Sequence, residues 1–167
     1  MPASSGVTVP AHVLPHRSPA ELLRLARQGL AEAAVTRPDG LRFATAHLAA
    51  LRAAAAVLAA RAQPAPGRRT RMTSVWALLT RVSPDLTEWA AYFAAGATKR
   101  AAAEAGIPRA VGAREADDLL RAAEQFTAVV EVALGLDRST NPDRSAGRSS
   151  GHPVPLPAAR RPELIAA

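Results

Sequence analysis

Four arginines, Arg61, Arg68, Arg69 and Arg71, gather around the stretch QPAPGRRT at residues 63–70. Proline and glycine punctuate that stretch, so it reads as an exposed loop. Clustered cations on an accessible backbone suit phosphate oxygens, and these four are the candidates for contact with nucleic acid. A second group, Glu115, Asp117 and Asp118, has the oxygen ligands a hard cation needs, but Arg114 and Arg121 neutralise them and no further carboxylate or histidine cluster accompanies them. They read as a charged solvent face. His12, His16 and His152 have no companions at ligand spacing, and the absence of cysteine removes thiol nucleophiles, thiolate metal sites and disulfides together. No glycine-rich phosphate loop or Gly-x-Ser-x-Gly elbow is present. The expectation is no metal and no cofactor. Trp76, Trp89, Tyr92 and Phe93 can stack on bases beside a basic loop, yet on helices at core spacing the core reading is preferred.

The elements that must position these residues are helical. Alanine and leucine dominate the apolar half of the chain, with few aromatics and few β-branched runs. Ser18-Pro19-Ala20-Glu21 is a capping box with proline in the first turn, so the first helix starts near Pro19 and ends before Pro38. Asp39 is the expected N-cap of the second helix, whose residues Leu41, Ala44, Leu48, Leu51, Ala55 and Leu58 form a stripe read as core-facing. A short helix follows through Val75, Trp76, Leu78, Leu79 and Val82. Ser83-Pro84-Asp85 then restarts the chain as N-cap, first position and first-turn acid of a fourth helix. That helix passes through Trp89, Tyr92 and Phe93 and closes near Lys99, Arg100, Gly106 and Pro108. The last covers roughly residues 113–134, with Asp117 and Arg121 expected to pair on its outer face. The fold class is therefore an all-α bundle of about five helices over residues 18–135. Segments 1–17 and 136–167, rich in proline, serine and arginine without apolar periodicity, are read as disordered tails.

The net charge is +7. Part of the surplus lies in the helical region, which is compatible with a phosphate-bearing partner but does not by itself define one. The N-terminus lacks a basic n-region and an apolar h-region, so no signal peptide is expected and a cytoplasmic location is inferred. The apolar run from Phe43 to Ala60 is carried by alanine and broken by His47 and Arg52, so a membrane-spanning role is rejected.

Three segments together, RFATAHLAALRAAAAVLAARA, SVWALLTRVSPDLTEWAAYFAAGATKRAAAEAG and READDLLRAAEQFTAVVEVAL, resemble an actinobacterial branch of the HEPN (higher eukaryotes and prokaryotes nucleotide-binding) superfamily. The resemblance implies two antiparallel helical hairpins, often dimeric, in a superfamily that includes RNA-cleaving toxins, RNA-processing and defence proteins, and inactive binding members. Its active ribonucleases carry Arg-x(4–6)-His on a late helix. One match exists here, Arg42 to His47 in RFATAH, on the second helix. Five residues at about 100° each place the two side chains about 140° apart on an ideal helix. About one such match is also expected by chance. The preferred reading is a non-enzymatic binding or accessory domain for nucleic acid or protein, forming a homodimer through the small-residue surface Ala90, Ala94, Ala97 and Ala101. The alternatives are a metal-independent ribonuclease using Arg42 and His47, and a structural dimerisation module.

Overall fold

The computed structural model describes residues 6–65 and 73–137. Among these, five α-helices carry the fold: α1 (Pro19–Val35), α2 (Asp39–Arg61), α3 (Val75–Val82), α4 (Thr87–Glu104) and α5 (Ala113–Ala133). A pair of three-residue parallel strands, β1 (Thr8–Pro10) and β2 (Gln63–Ala65), completes it. The all-α bundle expected from composition is the fold observed. Of the two tails expected to be disordered, residues 1–5 and 138–167 lie outside the described residues, as does the loop at 66–72. Ahead of Ser18, in the segment read as disordered, Thr8–Pro10 nevertheless pairs with Gln63–Ala65. The reason is Val9, fully buried against Leu58 and Leu78 in a small satellite core.

The punctuation works as the sequence implied at most helix ends. Ser18 Oγ accepts from the Glu21 amide at 3.2 Å, and the Ser18 amide donates to Glu21 Oε2 at 2.9 Å. Two bare amides are thereby satisfied, and the Ser18 amide holds the Glu21 carboxyl below its ordinary pKa. Ser18→Ala is expected to cost about 1 kcal/mol, read as a lower thermal unfolding midpoint with the helical circular dichroism unchanged at low temperature. At the C-terminus of α4, Gly106 takes φ +72°. Its amide bonds Ala103 O and the Ile107 amide bonds Ala102 O, each at 3.0 Å, which closes the helix in the Schellman pattern.

Two starts differ from expectation. Pro38 is the N-cap of α2, and Asp39 is its first helical residue. Asp39 instead turns its carboxylate to Arg42 at 2.7 Å. Ser83 does not cap α4; Pro84–Leu86 forms a 3-10 turn and α4 begins at Thr87. The Ser83 hydroxyl instead accepts from Arg61 Nη1 at 2.7 Å and makes no bond to a helix-start amide.

Helix α2 is the centre of the bundle and packs against α1, α3, α4 and α5. α1 and α4 run antiparallel to it. α5 runs parallel, since Arg42 near the start of α2 meets Asp117 and Arg61 at its end reaches the Ala133 carbonyl. Being covered on several sides, α2 buries alanines beyond the expected stripe, of which Ala44 and Leu58 are buried and Leu51 and Ala55 pack against the core. Ala46, Ala49, Ala50, Ala53, Ala54, Ala56 and Val57 are wholly buried, whereas Leu41 is 58% exposed and Leu48 38%. Alanine lets neighbouring backbones come close: a Cβ placed on Gly29 of α1 would lie 3.2 Å from that of Ala49. Among the described helices α2 has the length and hydropathy of a membrane span, and 61% of that window is buried inside the bundle.

Candidate functional site

His47 lies in the middle of α2 and is fully buried. Phe43, one turn earlier, stacks beside its ring at 6.3 Å. Trp76 from α3 and Phe93 from α4 meet it edge-on at 5.7 and 6.1 Å. Gly96 leaves the fourth side open to close approach; a Cβ there would stand 3.3 Å from His47 Cδ2. His47 Nε2 is 2.8 Å from the Phe93 carbonyl oxygen. A carbonyl only accepts, so Nε2 carries the proton and Nδ1 is the unprotonated nitrogen. Nδ1 is buried with no hydrogen-bond partner. Burial pushes the His47 pKa below its ordinary value, Arg100 pushes the same way, and the bond to Phe93 opposes them only in part. The ring is neutral at physiological pH.

Arg42 is directed elsewhere. Its Nη2 bonds Asp39 Oδ1 at 2.7 Å, its Nη1 donates to the carbonyls of Thr36 and Arg37, and its Nε lies 3.1 Å from Asp117 Oδ1 at an angle short of a hydrogen bond. It ties the α1–α2 turn to the start of α5. The structure therefore does not bring Arg42 and His47 to one surface: one ends in an ion cluster and the other in an aromatic cage.

The basic cluster also divides. Arg61, placed in the sequence reading beside the loop, is the last residue of α2 and donates to Ser83 Oγ and, at 3.3 Å, to the Ala133 carbonyl. Asp85 lies 3.8 Å from its Nη1. Its charge holds the ends of α2 and α5 to the α3–α4 junction. Arg68, Arg69 and Arg71 lie outside the described residues.

Among the acids, Asp117 faces Arg42, and Arg121 takes Asp118 at 3.1 Å rather than the Asp117 carboxylate expected from four-residue spacing. Glu115 accepts from Lys99 and from the Gly112 amide, which together lower its pKa, Lys99 contributing most. Each acid has a cationic partner, and no group of three metal-binding side chains occurs among the described residues. The aromatics are core. Phe93 is wholly buried and contacts Trp76, Trp89, Tyr92 and Phe126 at ring distances of 5.1–6.2 Å. On α4, Ala90 faces this core at 2% exposure, while Ala94, Ala97 and Ala101 are exposed.

Sequence reasoning missed the Arg42–Asp117 pair and the rings from α3 and α4 that enclose His47. The pair joins residues far apart in the chain and leaves no local trace. The histidine did leave one, in the apolar residues Phe43, Ala46 and Ala50 around it on the same helical side.

The antiparallel pair α1–α2, with α3, α4 and α5 packed on α2, makes the HEPN type of helical bundle. The chain belongs to the SAV_6107-like HEPN family, whose match covers residues 33–131. Comparison with curated proteins and with solved structures gave no match.

Proposed function

We propose that this chain is a non-enzymatic HEPN domain that binds a partner in the cytoplasm, with nucleic acid as the partner and Arg68, Arg69 and Arg71 as its phosphate contacts. One observation carries the non-enzymatic half: His47 is wholly buried and its one proton is committed to the Phe93 carbonyl. A general acid or base must come within hydrogen-bond reach of the group it serves, and this ring reaches only its own core. Arg42, with its side chain 13% exposed and its guanidinium shared between two aspartates, supports the same reading. Ala94, Ala97 and Ala101 present an uncharged exposed surface on α4 that admits another helix, which supports a homodimer.

The experiment measures single-stranded RNA in two ways, as substrate and as ligand over a salt series. Wild type is expected to leave the RNA intact. Three phosphate contacts give a slope of log K against log salt of about −2 on single strands, and the triple variant Arg68→Ala, Arg69→Ala, Arg71→Ala is expected to lose it. Adding Arg61→Ala is expected to reduce thermal stability without a further change in slope. Cleavage by wild type that His47→Ala and Arg42→Ala both abolish while folded would replace this reading with the ribonuclease one. Binding unchanged in the triple variant would remove the loop from it.

A further inference from the structure

We propose that the His47–Phe93 contact is an acid-sensitive latch: protonation of the orphan ring nitrogen loosens α4 from α2 and opens the aromatic cluster, while the α1–α2–α5 core stays folded. This goes beyond the binding role above and does not rest on it.

The geometry singles out this contact. His47 Nε2–H to Phe93 O is the only side-chain hydrogen bond between α2 and α4 among the described residues. The rest of that surface is apolar, with Gly96 over His47 and Phe43, Phe93 edge-on to His47, and Gly40 against Ala103. Apolar contacts are not directional, so the one hydrogen bond helps to fix where α4 sits along α2. The same residue is the one that cannot accept a second proton in place. A proton on Nδ1 creates a buried cation whose new N–H has no acceptor, because that nitrogen has no partner.

The charges around the ring do not rescue it. From α4, Arg100 repels an imidazolium, and Glu104 attracts it but lies 3.4 Å from Arg100, with which it is paired. From α3 the group facing the ring is Trp76, and from α2 it is Phe43, neither of which titrates. Arg42 and Arg52, each five residues from His47 on α2, are turned away, the first to Asp39 and Asp117 and the second to the Leu25 carbonyl of α1. The latch is therefore closed with a neutral ring and strained with a charged one.

α4 is also held less closely to α2 than α1 and α5 are. Its links to α5 are aromatic side chains, Trp89 and Phe93 on Phe126, together with the exposed Lys99–Glu115 pair. By contrast α1, α2 and α5 are joined by the close alanine contacts and by Arg27–Glu131 and Arg42–Asp117.

The direction in pH follows from the depressed pKa. Above the ordinary histidine value of 6.5 the ring is neutral in open and closed states alike, and the latch is at full strength. As pH falls below 6.5 the open state gains a proton that the closed state refuses, so the opening equilibrium rises by up to about tenfold per pH unit, until the closed-state pKa is reached.

The test uses the full chain between pH 8 and pH 5. Hydrogen exchange corrected for intrinsic rates reads each helix, and fluorescence reads the cluster, because Trp76 and Trp89 are the only tryptophans. The expected result is an increase in α4 opening of about tenfold per pH unit below 6.5, with α1, α2 and α5 still protected and the tryptophan emission shifted to the red. His47→Gln keeps an N–H donor for Phe93 and cannot titrate, so its α4 protection is expected to be independent of pH. Should that variant fold poorly, imidazole nitrogen shifts in wild type decide the matter. Closed protein is expected to show the neutral Nε2–H tautomer, and a His47 cation in molecules whose α4 remains protected overturns the latch. Flat α4 protection to pH 5 overturns it, as does the same pH response in a folded His47→Gln protein or loss of protection in all helices together.

Discussion

Phe93→Ala is expected to destabilise the fold by about 3–5 kcal/mol, the range seen when a fully buried phenyl ring is removed and its cavity only partly collapses. Phe93 is 0% exposed and lies at the meeting point of α2, α3, α4 and α5. Trp76 stacks on it at 5.2 Å, Phe126 tilts against it at 5.3 Å, and Trp89 and Tyr92 complete the ring of contacts. The surrounding elements cannot close in without moving the rigid indoles, so the cavity term is retained. A domain of this size has about 5–15 kcal/mol in total, so the loss is a large share of its stability. Denaturant unfolding followed by helical circular dichroism should show a lower midpoint with little change in slope, and thermal unfolding a fall of about 10 °C or more. Tyr92→Phe is the matched control, because it keeps the ring at the edge of the same cluster and removes only the hydroxyl. A Phe93→Ala protein within 1 kcal/mol of wild type would mean that the aromatic cluster does not hold the four helices together.

Helix boundaries were legible wherever a local chemical rule set them. Ser18 with Glu21 and Gly106 after α4 act within four residues of themselves, and the chain there reads the same in isolation as in the fold. Ser83 was misread for the opposite reason. Its hydroxyl has a suitor from 22 residues away, Arg61, and a guanidinium that finds a buried acceptor wins over a local cap. Arg61 was misread with it. A cation next to a loop looks free in sequence, and only the packing of α2 against the α3–α4 junction shows that it is occupied.

His47 shows how a candidate site and a core position are separated. The sequence argument rested on divergent faces, the chance frequency of an Arg-x(4–6)-His match, and the helix on which it falls. The structure adds the depth: 0% exposure, aromatic rings from three helices around the imidazole, and a hydrogen bond that assigns its tautomer. None of these follows from the spacing of Arg42 and His47, because the enclosing groups Trp76 and Phe93 are supplied by α3 and α4. Family membership reaches the same residues without deciding their chemistry, since HEPN domains with and without activity share the bundle.

The second large effect inverts the ordinary expectation for a helix interior. If α2 buried one leucine stripe, Leu41→Ala would cost about 2–5 kcal/mol, and Ala53, which lies off that stripe, would accept a larger side chain freely. The fold reverses both. Leu41 is 58% exposed, so Leu41→Ala is expected to change stability by no more than about 0.5 kcal/mol. Ala53 is 0% exposed and sits one turn beyond Ala49, whose Cβ already leaves only 3.2 Å to a Cβ placed on Gly29. Leucine at 53 brings three more carbons into an interface closed to small residues, and neither neighbour can retreat without breaking other contacts. Overpacking of this kind costs about 1–3 kcal/mol and can exceed it where backbones are closely apposed. Ala53→Leu should therefore lower the denaturation midpoint well below that of Leu41→Ala. Ala53→Gly, which opens space instead of filling it, should lose about 1 kcal/mol through helix propensity alone, before any loss of packing. Equal stability of the Ala53→Leu and wild-type proteins, or a loss in Leu41→Ala larger than in Ala53→Leu, would show that α2 is not closely packed through its alanines and would return Leu41 to the core.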